Sequence, residues 1–84
     1  MNNKRVYIDG IFDLFHRGHL ESFYKTKNIY GEENKEGVDV IVGIISDADA
    51  QDYKRLPIIK EEDRIKIIEG IKCVNEVIFP APLI

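Results

Sequence analysis

The chain has 84 residues, 44% of them hydrophobic, and its 12 Lys+Arg against 15 Asp+Glu leave a net charge of −3. A chain this short holds a single domain, buries only about 60–65% of the surface that its unfolded state exposes, and is stable by a narrow margin. The acidic balance argues against a general binder of nucleic acid or acidic membranes, so any anion site must be local. No apolar run approaches the ~20 residues that span a bilayer. The first residues lead into a strand-like run instead of a signal h-region, so a cytoplasmic protein is expected.

Val6-Tyr7-Ile8 is a short β-branched and aromatic run that ends at Asp9-Gly10, where glycine permits a sharp turn. From Gly18 the apolar residues Leu20, Phe23, Tyr24 and Ile29 recur at helical spacing, with Lys25 and Lys27 facing elsewhere, which predicts a helix to about Tyr30. Residues 31–37 are charged and bounded by glycines and read as a solvated turn. Residues 38–45 are almost continuously apolar, as in a parallel strand buried on both faces, and such burial calls for helices on both sides. Ser46 and the aspartates after it can cap a short helical turn reaching Tyr53, where Asp47 reads as a cap. Lys54-Arg55-Leu56-Pro57 is then a loop, because the residue before proline avoids the helical region. Glu61-Glu62-Asp63 opens a second main helix whose apolar face is Ile65, Ile68 and Ile71 with Ile67 adjoining. Cys73, the only cysteine, has no second thiol for a disulfide or metal site and is expected to be a small buried apolar side chain. Residues 74–79 form a third strand, stopped by Pro80-Ala81-Pro82. Strand, helix, strand, helix, strand is the first half of an α/β Rossmann-like parallel sheet, whose ligands sit beyond the carboxyl ends of the strands.

At that edge His16 and His19 flank Arg17-Gly18 where the first strand turns into the first helix. Two imidazoles, main-chain N–H groups and a positive helix end converge there, which favours phosphate. Gly18 lets the backbone approach the anion, and the imidazoles can donate to a phosphoryl group that gains charge in its transition state. Positioning and charge stabilisation suffice for such a transfer without a nucleophilic side chain.

Residues 7–19, running Tyr-Ile-Asp-Gly-Ile-Phe-Asp-Leu-Phe-His-Arg-Gly-His, closely resemble the signature of the choline-phosphate and ethanolamine-phosphate cytidylyltransferases. Val42-Gly43-Ile44-Ile45-Ser46-Asp47 is similar to their second-strand motif, and Tyr53-Lys54-Arg55 to their lysine-bearing loop. Glu62-Asp63-Arg64 and Val74-Asn75-Glu76-Val77 resemble their next helix and strand, so the similarity spans residues 5–82. The resemblance implies transfer of CMP from CTP to a phosphoalcohol, phosphocholine or phosphoethanolamine, for phospholipid precursor synthesis, with release of pyrophosphate. It implies His16, His19 and Lys54 as catalytic residues. Gly10, Ile11, Phe12, Asp13, Gly18, Arg64 and Asn75 are implied at the nucleotide and its phosphates, with Asp13 beside the phosphates, positioning a Mg²⁺ ion or a histidine. Magnesium accompanies CTP, with no metal site of the protein's own. Adenylyltransferases share the H-x-G-H logic but carry a proline after the Phe-Asp pair, where this chain has Leu14, which favours the cytidylyl reading.

The family usually has an aspartate at the place of Asn75, where a carboxylate helps recognise cytosine; Asn75 can still accept a hydrogen bond from an amino group. The family's Arg-Thr-Glu-Gly-Ile-Ser-Thr signature and head-group segment are not among these residues, so the chain reads as the front part of the catalytic domain. An open first-strand edge invites association, and a homodimer is expected. The rival reading is a non-catalytic remnant that binds nucleotide, or a partner through that edge.

Overall fold

The computed structural model describes residues 4–28 and 38–82. In chain order these form β1 (Lys4–Gly10), α1 (Arg17–Lys27), β2 (Val38–Ile44), α2 (Asp47–Tyr53), α3 (Glu61–Glu69) and β3 (Glu76–Ile78). The strands make one parallel sheet in the order β1-β2-β3, with β1 in register from Lys4↔Val38 to Gly10↔Ile44 and β3 from Ile41↔Glu76 to Gly43↔Ile78. This is the expected α/β half-sheet, with β1 at an edge among the described residues. No helix among the described residues is long and apolar enough to cross a membrane.

The helices end sooner than their periodicity suggests. Asn28 closes α1 by donating its main-chain N–H and its side-chain amide to the Tyr24 carbonyl, while Ile29, Tyr30 and the charged turn at 31–37 lie outside the described residues. Phe23 is the buried residue of α1 and Tyr24 is exposed. Ile65 and Ile68 of α3, with Ile71 just beyond its end, make the apolar face, and Ile67 points to solvent. Cys73 is buried in the same cluster.

Both main helices pack on one side of the sheet. Phe23 of α1 and Ile68 of α3 share a core with Val38, Val40, Val42 and Ile44, which alternate along one face of β2. Two crossovers of one hand that step the same way across a sheet must put their helices on the same side. Among the described residues the expectation of a main helix on each face is therefore not met, yet Ile41 on the opposite face is only 3% exposed. Its register partners on that face are Tyr7 and Glu76. Tyr7 lies across Gly43, where a Cβ would come within 2.0 Å of the Tyr7 hydroxyl, and Arg5 reaches across β2 to Glu76 at 3.0 Å.

The carboxyl end of the sheet is tied by a network around Arg64. This guanidinium is 0% exposed. It donates to the carbonyls of Ile11 (2.6 Å), Ile45 (2.9 Å) and Ile59 (3.0 Å) and to Asp47 Oδ1 (2.6 Å). Asp47 and Glu61 cap each other's helices: Asp47 N–H donates to Glu61 Oε1 at 2.8 Å, and Glu61 N–H to Asp47 Oδ2 at 3.2 Å. Asp47 is thus a cap, but for α3 and not for its own helix, whose first turn Ser46 serves by accepting from Asp49 N–H.

Candidate active site

β1 ends at Gly10, and residues 11–16 carry the chain to α1. The left-handed residues of this turn are Phe12 (φ 56°) and Leu14 (φ 49°), not Gly10. Bulky side chains in that region are strained and persist only where surrounding contacts over-determine them. The Phe12 ring packs edge-on against Phe23 at 5.2 Å and His19 at 5.6 Å. The main chain of Gly10 meets its neighbour strand through the Ile45 N–H, which donates to the Gly10 carbonyl at 3.0 Å.

The two histidines hold the start of α1. His16 is the N-cap and accepts the Gly18 N–H on Nδ1 at 3.0 Å, while His19, three residues on, accepts the His16 N–H on Nδ1 at 3.2 Å. This is a capping box built from imidazoles, in the spacing usually filled by Ser or Thr and Glu. It explains Gly18 differently from the expected approach of backbone to anion: a Cβ there would meet His16 Cε1 at 2.8 Å, and the Gly18 N–H is already used. Because each Nδ1 accepts, each neutral ring carries its proton on Nε2. The rings stack at 4.0 Å, presenting two Nε2–H donors side by side.

His19 titrates below its ordinary 6.5, first because of burial and then because of the neighbouring His16 charge. It is therefore neutral near pH 7. Protonation would place a second donor against the His16 N–H and break the capping box. A histidine with a depressed folded pKa supports the fold fully above the unfolded value of about 6.5, and that support is lost as pH falls towards the depressed value. A proton NMR titration should place the His19 midpoint below 6.5 and move it up in His16→Asn, which removes one of its two causes. A midpoint unmoved by that substitution would contradict the coupling.

Gly10, Ile11, Phe12, Asp13 and His19 form one wall of a cleft of about 540 Å³, and Lys54, Arg55 and Pro57 form the other. That volume is in the range of small-molecule sites, about 300–1,000 Å³. Six of the residues expected at the site thus meet here, with His16 stacked on His19 behind them. Arg55 was not among those expected, although a second cation beside Lys54 in one loop was the available signal.

Two expected residues stand elsewhere. Arg64 does not face the cleft: its donors go to three main-chain carbonyls and Asp47, because the ends of the strands converge on it. Asn75 lies at the amino end of β3, where its side-chain oxygen accepts the Val40 N–H at 2.8 Å and its own N–H donates to the Val40 carbonyl at 2.9 Å. Val40 is four residues before the carboxyl end of β2, roughly 13 Å along the strand. Asn75 continues the ladder and is not among the residues that line the cleft.

Asp13 lines the cleft with its oxygens bonded to the main chain of the facing loop. Its oxygens accept the Ile58 and Ile59 N–H groups, each at 2.9 Å, with Arg55 at 3.8 Å. Burial pushes its carboxyl up, but those N–H groups, Arg55 and the Leu14 N–H outweigh it and hold the carboxyl below the usual carboxylate range. Among the described residues no three histidine, cysteine or acidic side chains gather to hold a metal ion.

The cytidylyltransferase-like family model matches residues 7–83. Human choline-phosphate cytidylyltransferase A is 36% identical over 78 residues, covering 93% of this chain and 20% of its own length. A probable ethanolamine-phosphate cytidylyltransferase of Encephalitozoon cuniculi is 32% identical over 81 residues, covering 96% and 23%. The crystal structure of the lipopolysaccharide core biosynthesis protein of Thermoplasma volcanium superposes with a TM-score of 0.75 at 27% identity, covering 88% of this chain and 55% of that one. The chain spans about a fifth of the length of these two cytidylyltransferases. With a parallel half-sheet, a histidine-capped turn and a cationic loop facing it across one cleft, the chain belongs to the cytidylyltransferase-like family.

Proposed function

We propose that this chain carries the phosphate-handling part of a site that transfers CMP from CTP to a phosphoalcohol, phosphocholine or phosphoethanolamine. The observation that carries this reading is the pair of stacked imidazoles whose Nδ1 atoms are both occupied, one of which, His19, lines the cleft across from Lys54 and Arg55. A phosphate oxygen of the phosphoalcohol attacks the α-phosphorus of CTP, the bond to the β-phosphate breaks, and pyrophosphate leaves. The attacking oxygen is already anionic, so no general base is required. The Nε2–H groups of His16 and His19 donate to the α-phosphate oxygens as charge builds on them. Lys54 and Arg55 neutralise the remaining phosphates, placing reactants that would otherwise repel. Magnesium would accompany CTP on the oxygens of the triphosphate itself, screening its charge.

The test is pyrophosphate release by the 84-residue chain with CTP, Mg²⁺ and either phosphoalcohol, run beside ATP. Turnover, or failing that CTP binding tighter than ATP binding, supports the reading. Binding neither nucleotide would refute it. A second reading, a partner-binding remnant, draws on the edge position of β1. A homodimer in sedimentation that neither turns over nor binds CTP would favour it.

A further inference from the structure

We propose that Asp13 is a positioning residue that fastens the 54–60 loop to the β1–α1 turn and so sets Lys54 and Arg55 opposite the histidine pair. The ligand in this inference rests on the cytidylyl reading; the fastening does not. Asp13 stands between Phe12 and Leu14, the two left-handed residues of the turn, and its side chain is 13% exposed. Its oxygens accept the N–H groups of two successive residues, Ile58 and Ile59. The same stretch is held from the other side, where Arg64 takes the Ile59 carbonyl and Asp47 takes the Glu61 N–H. At its near end the Lys54 N–H is spent on the Ala50 carbonyl at 2.9 Å. The loop is thus pinned on both sides of Arg55, which narrows the range over which its two cations can move. The carboxylate that makes one of those pins belongs to the turn that carries His16 and His19. One residue therefore ties the donors for the α-phosphate to the cations for the remaining phosphates.

Three roles for Asp13 predict different signs. A carboxylate that merely lies beside a polyanion repels it, so Asp13→Asn would raise CTP affinity. A magnesium ligand would lower affinity only when Mg²⁺ is present. A fastener lowers it in Mg²⁺ and in EDTA alike, because an asparagine accepts one N–H and presents its own amide to the other.

The experiment uses the 84-residue chain and its Asp13→Asn form, with Asp13→Ala as the second variant. Hydrogen exchange of the Ile58 and Ile59 amides should accelerate by about 10- to 100-fold, the range for hydrogen bonds to a charged group, with Val40 and Val42 amides unchanged to show that the sheet is intact. CTP affinity should fall about 10-fold with or without Mg²⁺. In a Lys54→Ala, Arg55→Ala background the same substitution should change affinity by less than about twofold, since nothing remains to be positioned. Unchanged exchange at Ile58 and Ile59, a rise in affinity, or a loss confined to Mg²⁺ would overturn the proposal. Accelerated exchange in a chain that binds no CTP at all would support the fastening and refute the cytidylyl reading instead.

Discussion

Arg64→Ala is expected to unfold most of the chain at room temperature. The guanidinium is fully buried and has four acceptors, three of them main-chain carbonyls at the ends of different elements. Its removal leaves those carbonyls without a partner and leaves Asp47, which also caps α3, without its counter-charge. Breaking a buried pair in this way costs about 3–5 kcal/mol. A domain of this size has in total about 4–12 kcal/mol, and a short chain stands near the lower end. Arg64→Lys should rescue little, because one ammonium cannot reproduce a planar fork spread over four acceptors. The readout is the urea midpoint followed by circular dichroism. Were Arg64 instead a phosphate ligand, its alanine form would keep the midpoint and lose only CTP affinity, and that result would refute the structural role.

Arg64 also marks where sequence reading stops. The succession of strands and helices was legible because apolar periodicity and Gly, Pro and acidic punctuation agree at each junction, and residues 38–45 could hardly be anything but a buried strand. The placement of His16 and His19 at the junction of the first strand and the first helix was legible too, because the H-x-G-H stretch follows the strand and opens the helix. The partners of Arg64 were not, because its acceptors are the carbonyls of Ile11, Ile45 and Ile59, and a carbonyl has no residue type to announce it. The same blindness covers Asp13, whose partners are two N–H groups some 45 residues away, and Asn75, which completes a ladder with Val40. The left-handed turn was hidden for the opposite reason. Phe12 and Leu14 are residue types that argue against positive φ, so the turn was assigned to Gly10. The capping box lay in plain view in the spacing of His16 and His19, but histidine is not a residue type associated with caps.

The capping of α1 by the histidines and their proposed donation to phosphate yield the second large effect, because the two uses can be separated by substitution. In His16→Asn the side-chain oxygen can replace Nδ1 as acceptor for the Gly18 N–H, and asparagine is among the best N-caps, but the Nε2–H donor is gone. The helix start should hold, with an unchanged urea midpoint, while CMP transfer falls by about 10²–10³, the cost of removing one donor to a developing oxyanion. His16→Ala should show the same loss of transfer together with about 1 kcal/mol of destabilisation from the missing cap. In His19→Gln a glutamine at the third helical position can still reach back to the N-cap N–H, so it too should fold and fail to transfer. If the isolated chain binds CTP without turning it over, a smaller but still selective loss of CTP affinity takes the place of the rate. A His16→Asn form that folds and retains full transfer would leave the imidazoles a capping role only, and the phosphate chemistry would have to be sought at Lys54 and Arg55.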